Sequence, residues 1–192
     1  MKVFDSPWQA GFEGADHVNR QGLKLSMNQL TGHSSRAPQD YAELKALQIT
    51  IVRESVGWRL VEQRGRFDFS SLHSRLEAAR RLDIQICWTF CHYGWPEDID
   101  IFSDQFVPRF ARFCGALAAW LAPYYDRAPV YSPMNEPAGG LAIQLFHCRQ
   151  GAIDDVGREG KRQLVRAALG GAMPSGRPIR APAYCTAIRS SI

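Results

Sequence analysis

The chain has 192 residues, with 23 Lys and Arg against 19 Asp and Glu and 45% hydrophobic residues, enough to bury a sizeable core. Its net charge of +4 is local: Lys161, Arg162, Arg166, Arg177, Arg180 and Arg189 follow Gly160 with no acid among them, so the first 159 positions hold 17 bases against 19 acids. Such a body offers no basic footprint for nucleic acid, and no run approaches the roughly 20 apolar residues of a membrane span.

Gly11-Phe12-Glu13-Gly14 reads as the end of a first strand, followed by a long polar loop through Gly22 and Gly32. Residues 40–47 place apolar side chains three and four apart, which predicts a helix. Thr50-Ile51-Val52-Arg53-Glu54-Ser55 is short and β-branched, the pattern of a strand. Ser70 or Ser71 then caps a helix over 72–82 with Leu72, Leu76 and Ala79 on one face. Residues 84–91 form the third strand. The helix over 106–121 carries Phe106, Phe110, Phe113, Leu117 and Trp120 as a core stripe. The apolar run Ala128-Pro129-Val130-Tyr131-Ser132-Pro133-Met134 is a fourth strand delivering Glu136, and a last helix covers 156–169 with Gly157 weakening its first turn.

Short apolar runs alternating with helical segments predict βα units on a parallel sheet. The expected fold class is α/β, a (β/α)8 barrel truncated to its first four to five units, because a whole barrel takes roughly 250 residues. Residues 1–170 form this barrel half. Residues 171–192 form an irregular basic tail whose prolines at 174, 178 and 182 stop any helix. Two origins fit the tail: a segment out of its native reading frame, or an ordinary disordered terminus.

The five cysteines at 87, 91, 114, 148 and 185 are odd in number and scattered. They lack zinc-ligand spacing and read as buried free thiols, so neither a metal nor a cofactor is expected. Met1 to Asp5 is too polar to open a signal peptide, and a cytoplasmic location follows as the expectation.

One place declares a chemistry. Asn135-Glu136-Pro137 ends a buried strand with a carboxylate, an amide beside it and a proline that stops the ladder. Strand ends of this kind are where barrel enzymes keep their acids. Taken alone, the tripeptide suits a plain strand-to-loop junction better than a site. Arg53 has a competing role as the partner of Glu54 or another surface acid, and His92 as a satisfied loop histidine. Trp58, Trp88 and Trp95 suit packing better than sugar stacking. His17, His33 and His147 have no discriminating context, and helix 40–48 and the stretch from Arg75 to Asp83 read as solvated faces.

Val52-Arg53-Glu54-Ser55-Val56-Gly57-Trp58, Cys91-His92-Tyr93-Gly94-Trp95-Pro96 and Asn135-Glu136-Pro137, in this order and at these distances, resemble the family 1 β-glycosidases and their relatives in the retaining clan A of glycoside hydrolases. Phe67-Asp68-Phe69 and the aromatic third helix also fit, and the resemblance covers about residues 8 to 170. It departs from the pattern at Gly11, where many members carry Gln, and at Pro133, where they carry Thr.

The resemblance implies roles. Glu136 would be the general acid/base that protonates the leaving glycosidic oxygen, and Asn135 would bind the hydroxyl beside the anomeric carbon. Arg53 would orient the nucleophile, and His92 would grip the sugar. The acid must hold its proton near neutral pH, which partial burial beside a second carboxylate would favour. That second carboxylate, the nucleophile, comes from strand seven in the family, beyond the units in this sequence.

Two function classes follow. One is a retaining O-glycosidase lineage acting on a small-molecule glycoside, of which this chain is the first half. The other is a non-catalytic truncated barrel that only binds carbohydrate or associates with another chain. In both, open sheet edges favour self-association.

Overall fold

The computed structural model describes residues 4–12, 14–19, 21–127, 129–136 and 153–172, with 153–156 described by backbone alone. In chain order the elements are β1 (Ala10–Phe12), β2 (Asp16–Val18), β3 (Lys24–Ser26), α1 (Met27–Leu30), α2 (His33–Ala46), β4 (Ile51–Ser55) and α3 (Trp58–Val61). There follow β5 (Glu62–Gln63), β6 (Arg66–Phe67), α4 (His73–Leu82), β7 (Gln85–Cys91), α5 (Phe106–Leu121), β8 (Val130–Met134) and α6 (Ile153–Ala172). Short 3-10 turns at Ser70–Leu72 and Ala122–Tyr124 precede α4 and follow α5.

The β-branched and aromatic runs make one sheet in the order β1-β4-β7-β8, and every pair in it is parallel. Arg53 stands opposite Cys87, Glu54 opposite Trp88, and Thr89 opposite Ser132. Because side chains alternate along a strand, neighbouring residues of β4 serve opposite faces. Arg53 reaches Thr89, Ser132 and Asn135 across the sheet. Glu54 reaches the helices on the other side.

The core lies between that helix-side face and α5. Phe106, Phe110, Phe113 and Leu117 are buried as the periodicity required, and Trp58 is inserted among them. Its ring meets Phe106 and Phe110 edge-on at 5.5 and 4.9 Å and stacks on Phe113 at 5.7 Å. Trp58 is therefore packing, worth several kcal/mol of buried area at ~25 cal/mol per Å². Helix α6 lies along α5 with small residues at the contact. A Cβ on Gly171 would sit 2.7 Å from Cys114 Sγ.

The structure corrects several sequence expectations. The polar loop after β1 contains the β2–β3 hairpin, and β5–β6 adds a second hairpin before Phe69. Helix α2 begins at His33, seven residues before the expected start, and accommodates Pro38 inside it. No serine caps the helix after β6. Asp68 Oδ1 instead accepts the Ser70 N–H at 2.9 Å at the head of the 3-10 turn. Helix α6 runs through Ala172, past the boundary expected at 170, and the basic tail beyond it lies outside the described residues.

The two helix faces expected to be solvated are partly buried. Tyr41 is 0% exposed, and Arg75 turns inward. Both serve Glu54, also 0% exposed. Tyr41 donates its hydroxyl to Glu54 Oε1 at 2.7 Å, Arg75 donates to Oε2 at 2.9 Å, and His33 Nε2 meets Oε1 at 2.8 Å. His33 Nδ1 meets Asp40 Oδ2 at 2.6 Å, and the imidazole stacks on Phe12 at 3.8 Å. Burial works against the charged imidazolium, but Glu54 and Asp40 on its two nitrogens outweigh it and hold His33 above its ordinary range. Among the described residues no helix is long and apolar enough to cross a membrane.

Candidate active site at the strand ends

Three parallel strands ending at one rim bring the sequence candidates together. Arg53 is the third residue of the five-residue β4, so it sits below the rim and not at the strand end. His92 follows β7 directly, and Asn135 and Glu136 follow β8. The Asn135 N–H donates to the Cys91 carbonyl at 2.9 Å, tying the two strand ends to each other.

Arg53 spans the sheet beneath them. Its Nε donates to Thr89 Oγ1 at 2.9 Å and its Nη2 to Asn135 Oδ1 at 2.7 Å, with Ser132 Oγ at 3.4 Å. A guanidinium only donates, so the Asn135 amide must turn its oxygen toward Arg53 and its NH2 toward His92. That NH2 lies 2.9 Å from His92 Nε2. The nitrogen of His92 facing Asn135 is therefore an acceptor, and the chain Arg53 to Asn135 to His92 fixes both the amide orientation and the imidazole tautomer. Arg53 does not pair with Glu54, which faces the opposite side of the sheet. Thr89 and Ser132, which complete this arrangement, carried no sequence signal beyond their alternation with apolar neighbours.

Glu136 stands apart from that network. It is exposed, not partly buried as expected, and its Oε2 accepts the Tyr93 hydroxyl at 3.0 Å. Both residues have positive φ, +81° at Tyr93 and +37° at Glu136, a left-handed conformation that costs non-glycine residues energy. Pro137 and Glu13, named in the sequence reading, lie outside the described residues.

The segment carrying His92 and Tyr93 is pinned from below. Asp16 in β2 is 0% exposed, its N–H donates to the His92 carbonyl at 2.9 Å, and it bridges to Tyr93. Arg59 donates to Asp16 Oδ1 through Nε, at 2.9 Å, and through Nη2. Burial raises the Asp16 carboxyl above its ordinary range, and the Arg59 charge works against that rise. A Cβ on Gly94 would stand 2.4 Å from the Asp16 carbonyl oxygen, so this close approach requires glycine. Buried Cys91 is held mainly by desolvation as a neutral thiol. Among the described residues no group of three or more His, Cys, Asp or Glu is placed to hold a metal ion.

A four-stranded parallel sheet with alternating helices and polar residues gathered at strand C-terminal ends places the described residues in the (β/α)8-barrel class, as part of such a barrel. The AHE enzyme from Alicyclobacillus herbarius superposes on 76% of this chain and 35% of its own, with a TM-score of 0.60 and 19% identity. The β-glucosidase from Thermotoga maritima in complex with glucoimidazole matches 73% of this chain and 34% of its own, with a TM-score of 0.62 and 18% identity. A structure described as the family 1 β-glucosidase of that organism gives the same figures. This chain thus spans about a third of the length of these solved structures, and at such identities the agreement is one of fold. No family model matches the sequence, and no curated protein does.

Proposed function

We propose that the chain carries the acid/base portion of a retaining, β-glycosidase-type site acting on O-glycosides. The observation that carries this reading is the hydrogen-bonded chain from Arg53, below the rim, to Asn135 and His92 at the strand ends, with Glu136 as the next residue after Asn135. One hydrogen of the Asn135 NH2 goes to His92 Nε2, which orients the second as a donor for a sugar hydroxyl, and Glu136 is the exposed carboxyl next to it in sequence. In such a reaction Glu136 gives its proton to the glycosidic oxygen as the C–O bond breaks, and a second carboxylate about 5 Å away forms the glycosyl ester. The resemblance puts that nucleophile on a seventh strand, and the sheet of the described residues has four.

That count also favours a second reading, in which the chain binds a glycoside without hydrolysing it. Calorimetry with gluco- and galacto-configured sugar imidazoles tests what the two share. These probes place a basic nitrogen where the leaving oxygen would lie. Both readings expect binding that Asn135→Ala weakens at least tenfold, the cost of about one charge-supported hydrogen bond. Binding with Asn135→Ala unchanged would overturn them. Weaker but measurable imidazole binding in Glu136→Gln, with free-sugar binding kept, supports the acid role in particular.

A further inference from the structure

We infer that Tyr93 is a positioning residue for Glu136: its phenol holds one carboxyl oxygen so that the other faces the substrate. The inference rests on the acid role of Glu136 proposed above and deepens it. Residues after a strand end are ordinarily free to take many rotamers, and an exposed glutamate has three torsions to order. Proton transfer in a defined direction requires those torsions to be fixed. The Tyr93 hydroxyl donates to Oε2 of Glu136 at 3.0 Å, which leaves Oε1 as the oxygen able to exchange a proton with a bound glycoside.

Three features show that Tyr93 is itself held for this contact. Its φ of +81° is one that a bulky residue keeps only when the surroundings impose it. The surroundings are the bridge to Asp16, the Asp16 N–H on the His92 carbonyl at 2.9 Å, and the Gly94 approach that no larger residue allows. The ring also stands edge-on to His92, with centroids 4.5 Å apart and planes at 80°. Tyr93 thereby links the imidazole of the Arg53 network to the carboxyl that this network does not touch.

A phenol donor contributes most when its acceptor is a carboxylate. Glu136 becomes one when its proton passes to the leaving oxygen, and it recovers the proton from the incoming water. Tyr93 keeps its own hydrogen throughout. Its contribution belongs to the charged form of Glu136 and hence to ligands that draw the proton away.

The test compares the 192-residue chain with its Tyr93→Phe, Glu136→Gln and double variants. Calorimetry measures a gluco- or galacto-imidazole, which takes up the acid's proton, and the matching free sugar, which does not. Tyr93→Phe should weaken imidazole binding about five- to tenfold and leave free-sugar binding unchanged. In the Glu136→Gln background the same change should have no further effect. Unchanged free-sugar affinity also establishes that the variant is folded, and Tyr93→Leu, which should behave like Tyr93→Phe, separates the hydroxyl from the ring. Equal imidazole affinity in wild type and Tyr93→Phe would overturn the positioning role and leave the acid role of Glu136 standing. A weakening of imidazole and free sugar alike would also overturn it, by showing a purely structural residue. If no imidazole binds the wild-type chain, the functional reading falls and this inference falls with it.

Discussion

Glu54 has an importance that its position beside Arg53 in the sequence conceals. It is a fully buried carboxylate with three partners, Tyr41, Arg75 and His33, from two helices. A buried ion pair adds little net stability relative to a well-packed apolar pair, but removing one member leaves the other charge stranded. Glu54→Leu should therefore lower the unfolding free energy by about 3–5 kcal/mol in urea titrations. Adding Arg75→Met should recover part of that loss, because the stranded guanidinium is then gone. A loss below about 1 kcal/mol for the single variant would mean that water reaches this site.

At the scale of elements, the long periodic ones were legible. Helix α5 begins and ends where the aromatic stripe said, since Phe106, Phe110 and Phe113 have no other way to leave water. The strands β4 and β7 were found within one residue because β-branched and aromatic runs have few alternatives. What could not be read was pairing between short segments. A two-residue strand such as Glu62–Gln63 exists because Trp58 and Arg109 hold Glu62, and no local pattern encodes that. The start of α2 was hidden by Pro38, which propensity penalises inside a helix but which tertiary contacts at His33 and Tyr41 override. In the same way the meeting of Arg53, His92 and Asn135 on one side of the sheet was legible from their motifs. Tyr93 was not, because its role depends on a backbone angle.

Helix α2 also carries the chain's clearest pH dependence. His33 is held above its ordinary range between Asp40 and Glu54, with Tyr41 and Arg75 on the same carboxylate. A group whose folded-state value is raised contributes stability that is fully present below its unfolded value, about 6.5, and that disappears as pH rises through the folded value. Thermal melts from pH 6 to pH 9 should show the wild-type chain losing stability relative to His33→Gln across that window. Parallel curves would mean that folding leaves the proton affinity of this imidazole unchanged.

For the whole molecule, the sheet has two outer strands, β1 and β8, each paired on one side only among the described residues. Unpaired parallel edges invite association. Sedimentation velocity on the 192-residue chain should therefore show species larger than a monomer, with a concentration-dependent distribution. A single sharp monomer boundary would mean that these edges are covered. On the acid/base reading, the same preparation should turn over aryl glycosides slowly or not at all, even those with good leaving groups, because the resemblance puts the ester-forming nucleophile on a seventh strand and the sheet of the described residues has four. Robust hydrolysis would require a nucleophile from within these 192 residues and would revise the assignment of Glu136.

The alternation along β4 has one more consequence. Arg53 and Glu54 are attached to adjacent peptide units and point to opposite faces, one into the candidate site and one into the helix-side network. If β4 slipped by a single residue against β7, the guanidinium would be driven among the helices and the carboxylate onto the site face, leaving His33, Tyr41 and Arg75 without their acceptor. Apolar residues at both positions would make that slip cheap, whereas a buried charge with three fitted donors makes it prohibitive. The network behind the sheet thus works as a keyed joint: alignment of the site is enforced from the face no substrate reaches.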